Sequence, residues 1–417
     1  MLPLPAAIRL RGEIVLIVAS SGITALLIPG GRTAHSRFGL PFIIDEYSTC
    51  NVKPNTPLAQ LVVQARLVIW DEAPMMHKFY FEALDRSFRD VRKEVDKRNK
   101  YIPFGGKVVV FGGDFRQILH VIPKGTRPEI VHATINSSKL WSYCEVLTLT
   151  KNMRLLFGAS VLDIEAKRKF SEWVLSLGDG RIGEDNEVDN TIALPSDFLI
   201  ESAGDPLAAI VESMYPNILE SMSDICYFQN RAILTTKNFI VEKINDYMLD
   251  MVLGGEKVYL SYDSPIHRNL NDDHIDDVHT PEFLNTITAY GLPNHKLRLK
   301  VGVPVMLLRN IDTRYGLCNG TRLVITRMGR YVIEGRVISG SNVGDQVFVS
   351  RLSISPSNVR IPFKFQRRQF PLNVSFLYVA VSKVTSREGL KILIADEDGE
   401  DTNVTSNVVY EEVFCNV

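Results

Sequence analysis

The stretch Arg66-Leu67-Val68-Ile69-Trp70-Asp71-Glu72 is the most informative in the chain, because a short apolar run ends there in two carboxylates. Runs of this length and composition are typical of strands buried on both faces of a parallel sheet. Comparable runs are found at Glu13 to Ala19, Lys107 to Phe111 and Glu145 to Leu149. Together these runs predict the strands of one parallel sheet.

A helix is predicted between the second and third of these strands. Apolar residues recur there at a spacing of three or four, which is typical of an amphipathic helix. They are Phe81, Leu84, Phe88, Val91 and Val95. The order strand, helix, strand indicates a crossover unit of an α/β domain.

Polar residues follow each predicted strand. They are Ser20-Ser21-Gly22, Asp71-Glu72, Gly112 to Gln117, and Lys151 to Arg154. Ligands of open α/β sheets bind beyond the carboxyl ends of the strands. The first part of the chain is therefore predicted to be a nucleotide-binding domain.

Several of these polar residues suit phosphate chemistry. Asp71 and Glu72 match a site in which one carboxylate holds Mg²⁺ and the other orients or deprotonates water. Gln117 is placed to contact a γ-phosphate, and Arg154 can grip a phosphate bidentately. Each also has a plainer explanation: an exposed acidic turn, a glycine-rich turn and a surface arginine.

The rest of the chain reads as a second α/β unit followed by a β-rich part. Residues 163–253 are helical and mixed, with a strand at Ile233 to Thr235. Residues 297–354 alternate apolar and polar side chains between turn signals, which predicts a small antiparallel barrel or sandwich. The acidic stretch 269–282 reads as a solvated loop, with a metal site at His274, Asp276, Asp277 and His279 as the weaker alternative.

Composition limits the class of protein. The 417 residues suggest two or three domains, and 45% hydrophobic with 23% charged residues indicates a folded chain. Because 47 Lys and Arg balance 48 Asp and Glu, any nucleic-acid site must be a local groove. Five widely spaced cysteines favour reduced thiols over a disulfide framework or zinc site. No apolar run approaches the ~20 residues of a membrane helix.

The motifs, taken in order, resemble those of the petite-integration-frequency (PIF-type) DNA helicases, with plant copies related to Helitron transposons the most similar. The matching stretches are VASSGITALL (18–27), GGRTAHSRF (30–38), DEAPM (71–75), GGDFRQ (112–117), LTKNMR (149–154), GVPVMLLRNID (302–312), LCNGTR (317–322) and YVAVSKVTS (378–386).

The resemblance implies an α/β fold of two RecA-like parallel-sheet domains with a small SH3-like β insertion. The implied segments are a first RecA-like domain at 1–150, the first part of the second domain at 151–255, an insertion at 256–355 and the last part of the second domain at 356–417. It also implies an ATP-dependent helicase that moves 5′ to 3′ on single-stranded DNA and acts on DNA junctions in repair, recombination or telomere maintenance.

Residue roles follow from the same resemblance. Asp71 would serve Mg²⁺ and Glu72 the attacking water, while Gln117 and Arg154 would contact the γ-phosphate of ATP. Thr33, His35 and Phe38 would lie along the DNA strand, since aromatic rings and hydroxyl groups hold single strands without reading sequence. Without the resemblance, a lone histidine such as His35 is better explained as a satisfied surface or core histidine.

Three departures from the family pattern lead us to expect an impaired enzyme. The chain contains no Gly-Lys-Ser/Thr phosphate loop, and Met1 to Ala7 reads like the middle of a domain. Only Asn373 to Phe376 stand where the family has a longer DNA-contacting segment. Lys383 occupies the arginine-finger position, and lysine lacks the planar fork of arginine.

The sequence therefore predicts a truncated, internally deleted helicase with little ATPase activity. The competing hypotheses are a non-catalytic single-stranded-DNA-binding module and an incomplete gene model of an intact enzyme. The resemblance to the family implies a location in the nucleus, or alternatively in the mitochondrion. The sequence does not indicate an oligomeric state.

Overall fold

We describe the chain from a computed structural model. It describes residues 3–414 except 27, 29, 42, 154–160, 183–190, 203, 223, 230, 236–237, 267–279, 290, 313–314, 341, 357–362, 377–383, 385 and 395–401. Contacts divide the chain into two compact units. The first unit comprises Met1–Leu199, Val381–Leu390 and Thr402–Val417, and the second comprises Ile200–Ala380 and Lys391–Asp401.

The helices and strands alternate in the first part of the chain, and strands dominate later. The helices are α1 Pro3–Arg9, α2 Gly22–Leu26, α3 Ala34–Phe38, α4 Pro57–Gln64, α5 Lys78–Arg92, α6 Arg127–Ala133, α7 Val161–Gly178, α8 Pro206–Met214, α9 Ile218–Ser221, α10 Ile225–Gln229, α11 Asn238–Met251, α12 Pro281–Thr286 and α13 Glu411–Phe414. The strands are β1 Val15–Ala19, β2 Arg32–Thr33, β3 Leu67–Asp71, β4 Val108–Phe111, β5 Thr191–Ala193, β6 Lys257–Leu260, β7 Tyr262–Pro265, β8 Lys296–Leu299, β9 Pro304–Leu307, β10 Arg322–Met328, β11 Val332–Val337, β12 Gln346–Ser350, β13 Leu352–Ile354, β14 Phe365–Gln369, β15 Leu372–Val374 and β16 Val404–Ser406.

The first unit is built on a parallel sheet of order β2-β1-β3-β4. Its strands β1, β3 and β4 confirm three of the predicted strands. Both faces of β1 and β3 are covered, which explains their continuous apolar sequence. On one face Val18, Val68 and Trp70 pack against α5, and on the other Ile17 and Ile69 form a smaller cluster.

Helix α5 confirms the predicted amphipathic helix. Phe81, Leu84 and Phe88 are fully buried on its inner face. The ring of Phe81 lies 4.7 Å from that of Trp70, measured between centroids. His77 caps the amino end of the helix, because its ring accepts a hydrogen bond from the Phe79 amide at 3.1 Å. This cap satisfies an amide that has no partner inside the helix.

The predicted fourth strand, Glu145 to Leu149, is wrong. These residues belong to no strand, and the side chains of Leu147 and Leu149 are 81% and 93% exposed. The fourth strand of the sheet is instead the two-residue edge strand β2. An apolar run becomes a strand only where a neighbouring strand pairs with it, and composition does not supply that information.

The second unit confirms the predicted antiparallel β-rich part. Strands β9 to β12 and β15 form a five-stranded sheet of order β12-β11-β10-β9-β15, in which every pairing is antiparallel. Helix α11 packs its buried residues Ile244 and Met248 into the same core. Ile233 makes only a single bridge rather than the predicted strand.

A buried ion pair holds a smaller sheet of the second unit, of order β13-β14-β7. Arg367 on β14 pairs with Asp263 on β7 at 2.6 Å, and both side chains are essentially inaccessible to solvent. The guanidinium also donates to the carbonyl oxygens of Leu284, Ile287 and Pro293. These bonds satisfy the buried charge, which would otherwise be costly. Arg367 is therefore a core residue.

The four predicted segments stay predictions. They are 1–150, 151–255, 256–355 and 356–417, and the division into two compact units does not test their boundaries. Among the described residues no helix is both long enough and apolar enough to cross a membrane.

Candidate nucleotide site

The parallel register brings the predicted polar termini to one edge of the sheet. Ala19 lies opposite Asp71, and Trp70 lies opposite Phe111. Ser20, Asp71-Glu72 and Gly112 to Gln117 therefore begin at the same level, beyond the carboxyl ends of three adjacent strands. Ligands of open α/β sheets bind at this edge.

Ser20 ties the first of these termini to the second. Its hydroxyl donates to the Glu72 carbonyl oxygen at 2.6 Å and accepts a bond from the Trp70 indole at 3.0 Å. The Ser20 amide donates to the Asp71 carbonyl oxygen at 3.1 Å. Because Trp70 is fully buried, its indole fixes the Ser20 hydroxyl. Sequence reasoning gave Ser20 no such role, and its position directly after a strand was the only signal.

The residues after β3 are also bonded to the residues after β4. The Ala73 amide donates to the Gly112 carbonyl oxygen at 2.9 Å. A Cβ atom on Gly113 would overlap the ring of Pro74, so only glycine permits this approach. The stretches DEAPM and GGDFRQ thus touch through their backbones.

Glu72 has an unusual backbone conformation. Its φ of 54° and ψ of 41° lie in the left-handed region, which residues other than glycine rarely adopt. Such strain persists where surrounding contacts hold it, and it concentrates at functional sites. The Ser20 and Gly112 contacts on either side of Glu72 hold it here. The side chains of Asp71 and Glu72 are half-buried at the sheet edge.

The loop that follows β4 is held by Arg116. Its guanidinium bonds Asp179 at 2.5 Å and approaches Asp114 at 3.4 Å. It also lies over the ring of Phe414 at 5.6 Å. Burial opposes the charge of Arg116, but the two carboxylates outweigh burial and raise its pKa. Arg116 therefore has a positioning role that the sequence did not reveal, because Asp179 is distant along the chain.

Gln117 lies in an open cleft of about 760 Å³ within the first unit. Lys151 and Asn152 line the same cleft, so the structure brings two of the predicted polar termini together there. One wall is formed by residues 407–410 and Phe414, and a pair of bonds from Arg127 to Glu412, at 2.7 and 2.8 Å, holds that segment. Asp71 and Glu72 do not line this cleft. Arg154 and Lys383, the other two predicted catalytic residues, lie outside the described residues.

Two histidines that sequence reasoning missed pack beside this edge. The rings of His77 and His120 meet edge to face at 5.3 Å, and His120 lies 3.4 Å from the Met75 carbonyl oxygen. Burial, aided by the charges of His120 and Lys78, lowers the pKa of His77 to about 4. Burial also lowers the pKa of His120. Because 42 residues separate the two histidines in the chain, the sequence gave no sign that they pack together.

We expect the free energy of unfolding to fall as the pH drops below 6.5. Because the folded state holds His77 neutral, its stabilising effect is complete above the ordinary pKa of 6.5 and is lost as the pH falls toward 4. His77→Asn keeps an acceptor for the Phe79 amide but does not titrate. Urea midpoints at pH 7.5 and 5.0 should differ more for the wild type than for this variant, and equal differences would contradict the assignment.

The residues predicted to contact DNA differ in their accessibility. The Thr33 hydroxyl accepts a bond from the Ser36 amide at 3.4 Å and caps α3. The ring of His35 is half-buried against Tyr80, at 5.1 Å between centroids, and burial lowers its pKa. A DNA-binding role for Thr33 and His35 stays a prediction.

Phe38 requires a correction. Its side chain is fully buried, with ring centroids 5.6 Å from Phe88 and 6.4 Å from Trp70. In this position the ring cannot stack on a DNA base, because core side chains occupy its faces. The motif GGRTAHSRF contains both a cap and a core anchor, and only packing distinguishes them.

No group of three or more His, Cys, Asp or Glu side chains that could hold a metal ion occurs in the part of the chain that the structure describes. The four residues of the weaker alternative metal site, between His274 and His279, lie outside the described residues. The donor chemistry of Asp71 and Glu72 nonetheless fits Mg²⁺, because this ion binds through one or two carboxylates together with substrate phosphates.

Curated relatives of this chain are ATP-dependent DNA helicases. It is 26% identical over 312 residues to the PIF1 helicase of Danio rerio, covering 74% of this chain and 39% of that protein. It is 24% identical over 411 residues to the PIF1 helicase of Homo sapiens, covering 91% and 54%. The chain thus spans about half the length, or less, of these relatives.

Solved structures share the fold. A Bacteroides Pif1 helicase in complex with ADP-AlF3 and single-stranded DNA matches with a TM-score of 0.57 at 22% identity, covering 90% of this chain and 75% of that one. A Candida albicans Pif1 helicase matches with a TM-score of 0.55 at 19% identity, covering 99% and 91%.

Two family models match the chain directly. Residues 3–188 match the PIF1-like helicase model, and residues 282–328 match the 2B domain of DNA helicase Pif1. Together these matches cover more than half of the 417 residues. Over these residues the chain is similar to the PIF1-like helicases.

Proposed function

We propose that the chain is the motor part of an ATP-dependent DNA helicase that couples ATP hydrolysis to 5′-to-3′ movement on single-stranded DNA. The observation that carries the proposal is the junction of DEAPM with GGDFRQ at the carboxyl ends of adjacent parallel strands. That junction places carboxylates beside a loop that carries an amide and a guanidinium, which is the chemistry that phosphoryl transfer requires.

Each proposed role follows from the chemistry of the side chain. Asp71 would hold Mg²⁺, which neutralises phosphate charge when bound, and Glu72 would orient or deprotonate water. Gln117 and Arg154 would contact the γ-phosphate, and Lys383 would stand in the arginine-finger position. The left-handed backbone of Glu72 would hold its carboxylate in one direction, because the bonds on either side leave it little freedom.

A second function, passive binding of single-stranded DNA, is supported by the sequence itself. The 417 residues contain no Gly-Lys-Ser/Thr loop, whose amides would otherwise cradle the phosphates. We therefore propose that ATP turnover of this polypeptide is impaired. The family resemblance also supports four further proposals. They are similarity to plant Helitron-related copies, a role in repair, recombination or telomere maintenance, action on DNA junctions, and a location in the nucleus or the mitochondrion.

We expect the 417-residue polypeptide to bind oligothymidine weakly under either function. Contacts to phosphates should dominate, so the logarithm of the affinity should fall linearly with the logarithm of the salt concentration, by about 0.7 per phosphate contacted. Fluorescence anisotropy over a salt series measures this slope. An oligoadenine of equal length controls for sequence preference. Folded protein that fails to bind at low salt would overturn both proposed functions.

A further inference from the structure

The five-stranded sheet of the second unit has one face that is open to solvent at β11 and β12. Along β11, Val332 and Arg336 are exposed whereas Ile333 and Val337 are buried. This period of two places residues 332, 334 and 336 on the outer face. The antiparallel register extends the face to β12, because Phe348 lies opposite Glu334.

Two aromatic side chains are exposed at this face. Phe348 is 64% exposed and Tyr331, in the turn before β11, is 70% exposed. Phe348 is the diagonal neighbour of Val332 and Arg336, a separation of roughly 7–8 Å between residues on facing strands. One exposed aromatic ring is ordinary on a protein surface. Two rings beside exposed arginines form a more specific arrangement.

Three arginines surround these rings. Arg327 on β10 lies opposite Glu334, Arg336 follows on β11, and the guanidinium of Arg330 lies over the Tyr331 ring at 5.3 Å. All three arginines are exposed. Within the described ranges none of the three lies within 4.0 Å of a carboxylate oxygen.

The carboxylates nearby do not cancel this charge. Glu334 already accepts bonds from the Thr326 hydroxyl at 2.9 Å and the Gln346 amide at 2.5 Å. Asp345 adds one further negative charge at the start of β12. Three guanidinium groups thus face two carboxylates, one of which is held by neutral partners. The face has a net positive charge and fits an anionic partner.

We propose that this face, defined by Arg327, Arg330, Tyr331, Arg336 and Phe348, binds single-stranded DNA separately from the residues at the edge of the parallel sheet. Bases stack on Phe348 and Tyr331, while the arginines contact the phosphates. Exposed aromatic rings beside basic side chains on an antiparallel sheet hold single strands in this way. The inference rests on the proposed function, because it adds a second contact surface for the same strand.

The test uses the whole 417-residue chain and a fluorescein-labelled oligothymidine in anisotropy titrations. Phe348→Ala should weaken binding about 5- to 150-fold, because stacking of one base is worth about 1–3 kcal/mol. Phe348→Trp should retain binding, since the larger ring still stacks. The double variant Arg327→Gln, Arg336→Gln should lower the salt slope by about 1.4, because two phosphate contacts are lost.

Tyr101→Ala is the matched control. Tyr101 is 74% exposed and carries a lysine over its ring at 4.5 Å, as Tyr331 carries Arg330, but it lies in the first unit, before the amino end of β4. It should bind like the wild type. Wild-type binding that is unchanged in the Phe348→Ala and double-arginine variants would overturn this inference and leave the proposed function standing. A wild type that does not bind would overturn both.

Discussion

We expect that a chain altered at three places hydrolyses ATP in response to single-stranded DNA. The 417-residue polypeptide should not reach ~1 turnover per second, an ordinary rate for an enzyme. Phosphate-release assays measure both rates. The three changes are a Gly-Lys-Thr phosphate-binding segment fused before Pro3, the family's DNA-contacting segment inserted after Phe376, and Lys383→Arg. We expect no activity from Lys383→Arg alone.

The reason is the order in which the groups act. An arginine finger accelerates transfer by ~10³- to 10⁵-fold, but only for a phosphate that is already bound and aligned. Without a phosphate loop the arginine has no aligned phosphate to stabilise. All three changes are therefore needed together, and each pair of changes serves as a control for the third.

The structure indicates where each of the two segments can be inserted. Helix α1 begins at Pro3 and leads into β1, so a segment placed before Pro3 supplies the strand and loop of a phosphate-binding unit while keeping α1. Strand β15 pairs with β9, and Phe376 is fully buried with its carbonyl oxygen bonded by the Tyr215 hydroxyl at 2.6 Å. An insertion after Phe376 leaves these contacts intact, whereas one immediately after Leu372 would break β15.

Glu72→Gln in the repaired chain tests the catalytic pair. It removes the carboxylate that activates water but keeps the shape of the side chain, so turnover should be abolished while ATP binding remains. Glu94→Gln, the same change at an exposed glutamate just beyond the end of α5, is a control that should retain turnover. If the repaired chain binds ATP yet stays inactive, or if Glu72→Gln is fully active, the assignment of Asp71 and Glu72 is wrong.

Phe38→Ala should destabilise the first unit by ~3–5 kcal/mol, the usual cost of removing a buried phenylalanine side chain. The ring fills the space between Phe88 and Trp70, and alanine would leave a cavity there. Urea unfolding followed by tryptophan fluorescence measures the loss. DNA affinity of the protein that remains folded should change little.

Phe348→Ala is the matched comparison for this prediction. Phe348 is 64% exposed whereas Phe38 is fully buried, so its removal should change the free energy of unfolding by no more than about 0.5 kcal/mol. Phe38→Ala should therefore lower the free energy of unfolding but not the DNA affinity, whereas Phe348→Ala should lower the DNA affinity but not the free energy of unfolding. A Phe38→Ala protein as stable as the wild type, with weakened DNA binding, would restore the stacking role predicted from the motif.

The sequence determined where the chemistry lies along the chain. The apolar runs at β1, β3 and β4 could be read directly, because strands buried on both faces carry few polar residues. The polar residues after those strands had to lie at one edge, since parallel strands share their direction. The sequence alone therefore places Asp71, Glu72 and Gln117 at one end of the sheet.

Only the tertiary structure decided which residues of each motif are accessible and which are buried in the fold. Glu145 to Leu149 has a strand's composition but pairs with no strand, and Phe38 belongs to a motif predicted to contact DNA but packs in the core. The bonds from Arg116 to Asp179, and from the Trp70 indole to Ser20, join residues far apart in the chain. Local sequence specifies backbone preference and polarity, whereas pairing and burial depend on contacts between distant residues, which the fold alone brings together.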